Sequence, residues 1–166
     1  MLNQPAPDFS LYGLDGELYQ LEQQRGWIVV LVFWSAECPW SEQADQEIWT
    51  SFETWEARVV WWSIAANANE SLDLLQVIAA ERRLPVVLHD TYQEATNLYG
   101  AETTPHAFVI DSQGVLRYRG AVNDRSFRQR TATRHYLRLA VEDLLAGVLP
   151  EPAETHPYGC AIVRFG

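Results

Sequence analysis

Two cysteines, Cys38 and Cys160, are the only thiols in the 166-residue chain, and its candidate chemistry starts at the first. Cys38 stands in Trp34-Ser35-Ala36-Glu37-Cys38-Pro39-Trp40-Ser41. Before it runs a continuously apolar stretch, and after it the apolar residues take helical spacing. Cys38 therefore falls where a buried strand hands over to a helix. A helix N-terminus presents N–H groups without intrahelical partners and a partial positive charge. Both favour thiolate over thiol, and cysteines so placed titrate at roughly 3.5–7.5 instead of about 8.5. A thiolate attacks disulfides and peroxides. A catalyst of this kind needs a depressed thiol pKa and solvent access at the sulfur. The competing role for Cys38 is that of a small, inert, buried hydrophobe.

Three further features are candidates to act with that sulfur. Pro39 and Trp40 flank it directly. An exposed Trp40 offers an apolar or protein substrate a surface, whereas a packed one staples the helix start to the core. Thr103-Thr104-Pro105-His106 opens a later strand. A proline there removes a ladder donor, which a cis Thr104–Pro105 bond or a trans proline at a strand start both explain. Cys160 lies in the tail. The thirteen residues 147–159 span up to roughly 40 Å when extended. That exceeds the roughly 20 Å length of a fourteen-residue helix, so Cys160 can return to Cys38 or be pinned elsewhere.

Histidines 89, 106, 135 and 156 show no ligand spacing, and no metal or organic cofactor is implied. His106 follows Pro105, where a Cys–His pair with Cys38 is conceivable. Arg125, Arg128, Arg130 and Arg134 form a basic patch in an otherwise acidic chain, a solvated face or a site for an anion or acidic partner.

The formal net charge is −10, which repels phosphate backbones and argues against nucleic-acid binding. The N-terminus has neither a cationic start nor an apolar core, so it does not read as a secretory signal. The longest apolar run, residues 27–34, is far shorter than the roughly 20 residues a bilayer requires. The chain reads as cytoplasmic, with no membrane partner. Two cysteines do not make a structural disulfide framework in such a chain, and free thiols or a redox pair fit better.

The elements that must hold these residues follow from periodicity. Residues 9–20 read as a hairpin around Asp15-Gly16. Continuous apolar runs predict buried strands over 27–34 and 58–66. Spacings of three and four predict helices over 40–56, 71–82, 92–99 and 133–146, with Gly100 and Gly147 as stops. Short strands are expected at 85–89, 106–111 and 115–120, the last two as a hairpin. Alternating strands and helices imply parallel strands with right-handed crossovers, and the terminal hairpin adds an antiparallel edge. The fold class is therefore α/β: a three-layer α/β/α sandwich with a mixed central sheet and an N-terminal hairpin extension. Residues 1–147 form the domain and 148–166 an extended, proline-bearing tail carrying Cys160.

These residues resemble a known family. The Phe33-Trp34-x-x-x-Cys38-Pro39 junction and the Thr104-Pro105 strand start resemble thioredoxin. The hairpin and the Ala6-Pro7-Asp8-Phe9 lead-in resemble its redoxin branch, which holds the peroxiredoxins (alkyl hydroperoxide reductase and thiol-specific antioxidant) and the cytochrome-maturation thioredoxins. Arg119-Gly120-Ala121-Val122-Asn123-Asp124 and the ending Gly159-Cys160-Ala161-Ile162 resemble a thioredoxin-like bacterial group with a Cys-Pro-aromatic site and a Gly-Cys-x-Ile tail. The resemblance implies a thioredoxin fold, Cys38 as the attacking sulfur and a cis Pro105 that, with Thr104, positions substrate. It also implies a disulfide-bearing protein or peroxide as substrate and a thiol as reductant. The sequence departs from thioredoxin at Ser41, where a local resolving cysteine would stand, and at Val32, where thioredoxin buries a carboxylate. It departs from the peroxiredoxins at Leu31, although Ser35 fits their pattern and Arg117, Arg119 or Arg125 could polarise peroxide. The expectation is a thiol–disulfide oxidoreductase with Cys38 as nucleophile and Cys160 or an external thiol as resolver. The alternatives are a peroxidase and a redox-inactive binding module on the same fold.

Overall fold

The computed structural model describes residues 1–165. A seven-stranded mixed sheet forms the middle layer, in the order β2-β1-β5-β4-β3-β7-β8. Its strands are β1 (Ser10–Gly13), β2 (Leu18–Gln20), β3 (Ile28–Trp34), β4 (Val59–Ala65), β5 (Val87–His89), β7 (His106–Ile110) and β8 (Leu116–Gly120). A separate two-stranded ladder joins β6 (Thr103–Thr104) to β9 (Cys160–Ala161). The helices are α1 (Pro39–Phe52), α2 (Leu72–Glu81), α3 (Glu94–Tyr99) and α4 (Tyr136–Leu145).

Strand β3 is buried along its whole length, as its continuous apolar sequence requires. It runs parallel to β4 and antiparallel to β7. Its residues alternate between two cores. Val30 and Val32 face Ala44, Ile48, Leu137 and Val141 of α1 and α4. Leu31 and Phe33 face Ala95 and Tyr99 of α3, Phe9 of the N-terminal segment and Ile162 of the tail. Trp34 and Ala65 pack with Leu75 of α2. The expected three layers and both antiparallel hairpins are present.

Three helix boundaries differ from the periodic reading. Helix α1 ends at Phe52 because the Thr54 hydroxyl donates to the Ser51 carbonyl and the chain turns; Trp55 is still buried, its ring 6.4 Å from that of Phe52. Helix α3 starts late because the Asp90 carboxylate accepts from the Glu94 and Thr96 N–H groups. Helix α4 starts late because Asp124 takes the Thr133 and Arg134 N–H groups. In each case a short polar side chain takes up backbone groups that a helix end leaves without a ladder partner, and fixes the boundary there. The tail is not simply extended: it adds β9 and a parallel bridge between Arg119 and Glu154. No helix among the described residues is long and apolar enough to cross a membrane.

Candidate functional site

Cys38 is the N-cap of α1, and Pro39 fills the first helical turn, where its missing N–H costs nothing. The loop that carries the cysteine, residues 35–38, is fixed by side chains from distant parts of the chain. The buried Glu70 carboxylate accepts from the Ser35 hydroxyl (2.6 Å), the Ala36 N–H (3.3 Å) and the Glu37 N–H (3.1 Å). Arg82, just past α2, donates to the Ser35 and Ala36 carbonyls at 3.3 and 2.7 Å. Ser41, standing where a local resolver would be, is fully buried and accepts the Ser35 N–H at 3.2 Å. Its hydroxyl closes the loop instead of serving the sulfur.

The structure pairs Cys38 with Cys160 in a disulfide, their Cα atoms 6.2 Å apart. The two other features expected beside Cys38 are also there. The Thr104–Pro105 peptide is cis, and the Thr104 carbonyl oxygen lies 3.2 Å from Cys38 Sγ. A disulfide sulfur has no proton, so this is a contact in the oxidised form that becomes an S–H···O bond in a neutral thiol. Cys160 faces Thr104 directly across the β6–β9 ladder. Pro39 and Trp40 follow at the helix start. Trp40 is half-buried, and its ring meets Tyr158 of the tail edge to face at 5.0 Å. Neither an open platform nor a core staple describes it: Trp40 holds the tail. The Tyr158 hydroxyl in turn accepts the N–H of Phe127, tying the arginine-rich loop to the same place.

The two cysteines differ in solvent access. Cys38 is only 3% exposed, whereas Cys160 is partly exposed. Gly159 passes so close to the cis-proline that a Cβ there would overlap the Thr104 carbonyl and the Pro105 ring. That close approach is a function of Gly159 that the sequence motif alone did not reveal.

Several expected neighbours are engaged elsewhere. The Ser35 hydroxyl points to Glu70. Arg117 is held by Asp111 and Asn3, and Arg119 by Glu154. Arg125 lines a small cleft with Trp40, Pro105 and Tyr158. His106 does not pair with Cys38. Its Nδ1 accepts the Glu102 N–H at 3.1 Å and its ring lies 4.6 Å from that of Phe108. Among the described residues no group of His, Cys, Asp and Glu could hold a metal ion.

Behind the loop lies a buried carboxylate that sequence reasoning missed. Asp45 on α1 is 2% exposed and accepts from Trp34 Nε1 at 2.7 Å and Arg82 at 3.1 Å. Burial pushes its pKa up to about 6, against the lowering effect of those two partners. Burial acts on His106 in the opposite sense, bringing it down to about 4, aided by Arg119. The consequences for stability oppose each other. Between about pH 4 and 6 the folded protein holds the Asp45 proton more tightly than the unfolded chain does, so this group's contribution is lost as pH rises. Between about pH 4 and 6.5 the unfolded chain protonates His106 and the folded protein does not, so that contribution grows as pH rises. Each is worth about 3 kcal/mol at 1.36 kcal/mol per pKa unit. The two substitutions should therefore change the pH dependence of urea unfolding from about pH 4 to 6.5 in opposite senses relative to wild type. Asp45→Asn should make stability rise more steeply with pH than in wild type, and His106→Gln less steeply. Profiles parallel to wild type in both variants would contradict the assignment.

Comparison with known proteins adds the family. The AhpC/TSA family model matches residues 2–119, a span that includes Cys38 and Pro105 but not Cys160. No curated protein matches the chain. Among solved structures, a hypothetical protein from Sinorhizobium meliloti superposes with a TM-score of 0.86 at 24% identity, covering 100% of this chain and 96% of that one. An uncharacterized conserved protein from Geobacillus kaustophilus gives 0.86 and 24%, covering 100% and 93%. A putative thiol:disulfide interchange protein DsbE from Chlorobium tepidum gives 0.63 and 20%, covering 89% and 96%. The fold these likenesses share is the thioredoxin fold.

Proposed function

The chain belongs to the AhpC/TSA family, and on that basis we propose that it is a thiol–disulfide oxidoreductase whose redox couple is Cys38 and Cys160. One observation carries the reading: the cysteine at the start of α1 is bonded to a tail cysteine seated opposite Thr104, beside the cis-proline. The absence of a second cysteine in the helix-start motif is thereby compensated from the tail. The N-terminal dipole of α1 stabilises the Cys38 thiolate when the bond opens. Thr104, Pro105, Pro39 and Trp40 frame the pair and position the substrate. The likeness to a structure titled as a putative thiol:disulfide interchange protein supports the same reading. The peroxidase alternative is weakened by the engagement of Ser35 with Glu70 and of Arg117 and Arg119 with acids, which leaves Arg125, in the cleft with Trp40 and Pro105, as the arginine for it to use.

The test is reduction of a disulfide-bonded peptide by dithiothreitol, with and without the protein. Wild type should accelerate the reaction at least tenfold, and the double variant Cys38→Ser with Cys160→Ser should return it to the uncatalysed rate. An uncatalysed rate with wild type favours the inert scaffold. Rapid consumption of hydrogen peroxide without peptide reduction favours the peroxidase.

A further inference from the structure

We infer that the sulfur meeting the external thiol or disulfide is Cys160, and that Cys38, buried behind it, is the resolving sulfur. The resemblance to thioredoxin implies the opposite assignment. The inference rests on the reading of the pair as a redox couple and adds the direction in which that couple is used.

Access is the first argument. Cys38 is 3% exposed and lies against the Thr104 carbonyl, while Cys160 is partly exposed. A thiolate attacks a disulfide along the S–S axis, from behind the sulfur it strikes, and the rate depends on access to that sulfur. The tail is tied on both sides of Cys160. On one side the Thr155 hydroxyl accepts the Ala121 N–H at 2.9 Å and lies 2.6 Å from the Tyr118 hydroxyl. On the other, Ile162 is buried in the main core and donates its N–H to Glu102. Only residues 156–161 lie between these anchors, and Tyr158 of that segment packs on Trp40. The strap that carries Cys160 is thus held at both ends beside the buried Cys38.

Leaving-group chemistry is the second argument, and in it the helix start outweighs the burial and the Thr104 carbonyl that favour a neutral Cys38 thiol. The sulfur that leaves should be the more acidic, since a lower thiol pKa leaves faster. Cys38 caps the fourteen-residue α1, whereas Cys160 lies in a two-residue strand with no helix behind it. The buried sulfur is thus the better leaving group and the accessible sulfur the better target.

The steps balance as follows. A substrate thiolate attacks Cys160 Sγ, forming a substrate–Cys160 disulfide. The Cys38–Cys160 bond breaks, and Cys38 takes its electron pair as a thiolate. A second substrate thiolate then attacks the substrate sulfur and releases Cys160 as a thiolate, which takes a proton from water. Two substrate thiols are oxidised to one disulfide, and the protein disulfide is reduced to a dithiol. In the reverse direction the Cys160 thiolate attacks a substrate disulfide and Cys38 resolves the mixed disulfide.

The experiment is a trapping measurement on the oxidised wild-type chain. Glutathione is added, the reaction is quenched in acid within seconds, remaining thiols are alkylated, and the position of the glutathionyl group is read by peptide mass spectrometry. The adduct on Cys160 should exceed that on Cys38 at least tenfold. A majority on Cys38 overturns the assignment and leaves the redox couple standing. A disulfide that neither glutathione nor dithiothreitol opens overturns both.

Discussion

Replacing Cys160 with serine should lower the unfolding free energy of the oxidised protein by about 3–5 kcal/mol and slow peptide-disulfide turnover at least tenfold. The stability loss follows from the position of the bond. Cys38 and Cys160 are separated by 122 residues, so the bond closes most of the chain into one loop. In the chain-entropy description a loop of this size removes about 5 kcal/mol of freedom from the unfolded ensemble. Most of the effect therefore acts on the unfolded chain. The native contacts of the tail, Ile162 in the core and Thr155 against Tyr118 and Ala121, remain in the variant. Urea unfolding should show a lower midpoint and a steeper slope for Cys160→Ser, because an uncrosslinked unfolded chain exposes more surface. Wild type in excess dithiothreitol should coincide with the variant to within about 1 kcal/mol, since reduction removes the same crosslink. A difference between oxidised and reduced wild type below about 1 kcal/mol would contradict this account. Turnover falls whichever sulfur meets the substrate, because resolution must then come from an external thiol instead of a partner thiol held beside it.

The same distinction between local and distant causes explains what the chain's sequence made legible. Strand β3 and the apolar faces of α1 and α4 are local patterns, and Ala44, Ile48, Leu137 and Val141 are buried where spacing puts them. Cys38 at a helix start was equally local, since strand, motif and helix are contiguous. Glu70, Arg82 and Asp45 were not legible. Each looks like an ordinary surface charge in the sequence: Glu70 and Arg82 meet the cysteine loop only because the chain around α2 returns to it from 33 to 47 positions away, and Asp45 is paired by that same Arg82. His106 was expected near Cys38 because it follows Pro105. Strand alternation instead places it on the face of Phe33 and Phe108, where it accepts from Glu102. For Cys160 the sequence supplied only reach. Its destination was decided by the burial of Ile162 two residues later and by the ladder with β6, neither of which has a periodic signature in so short a segment.

Gly159→Val should shift the equilibrium between disulfide and thiols at least tenfold toward the thiols in a glutathione redox buffer. The reason is steric and specific to this position. A Cβ on residue 159 would overlap the Thr104 carbonyl oxygen and carbon and crowd the Pro105 ring. Backbone and a proline ring cannot swing aside as a flexible side chain can, so the strap must lift instead. Lifting it separates Cys160 from its place opposite Thr104 and weakens the Trp40–Tyr158 contact. The anchors at Thr155 and Ile162 lie outside the lifted segment, so the reduced variant should lose only about 1 kcal/mol in urea unfolding, within the ordinary range for a single substitution. The two readouts therefore separate: a large change in disulfide formation with a small change in the stability of the reduced fold. A tenfold shift corresponds to 1.4 kcal/mol, the scale of a modest misplacement of one sulfur relative to another. If Gly159→Val formed its disulfide as readily as wild type, close seating of the strap on the cis-proline would not be what brings the two cysteines together. Reach and the two anchors would then suffice, and the glycine would have no part in the redox couple.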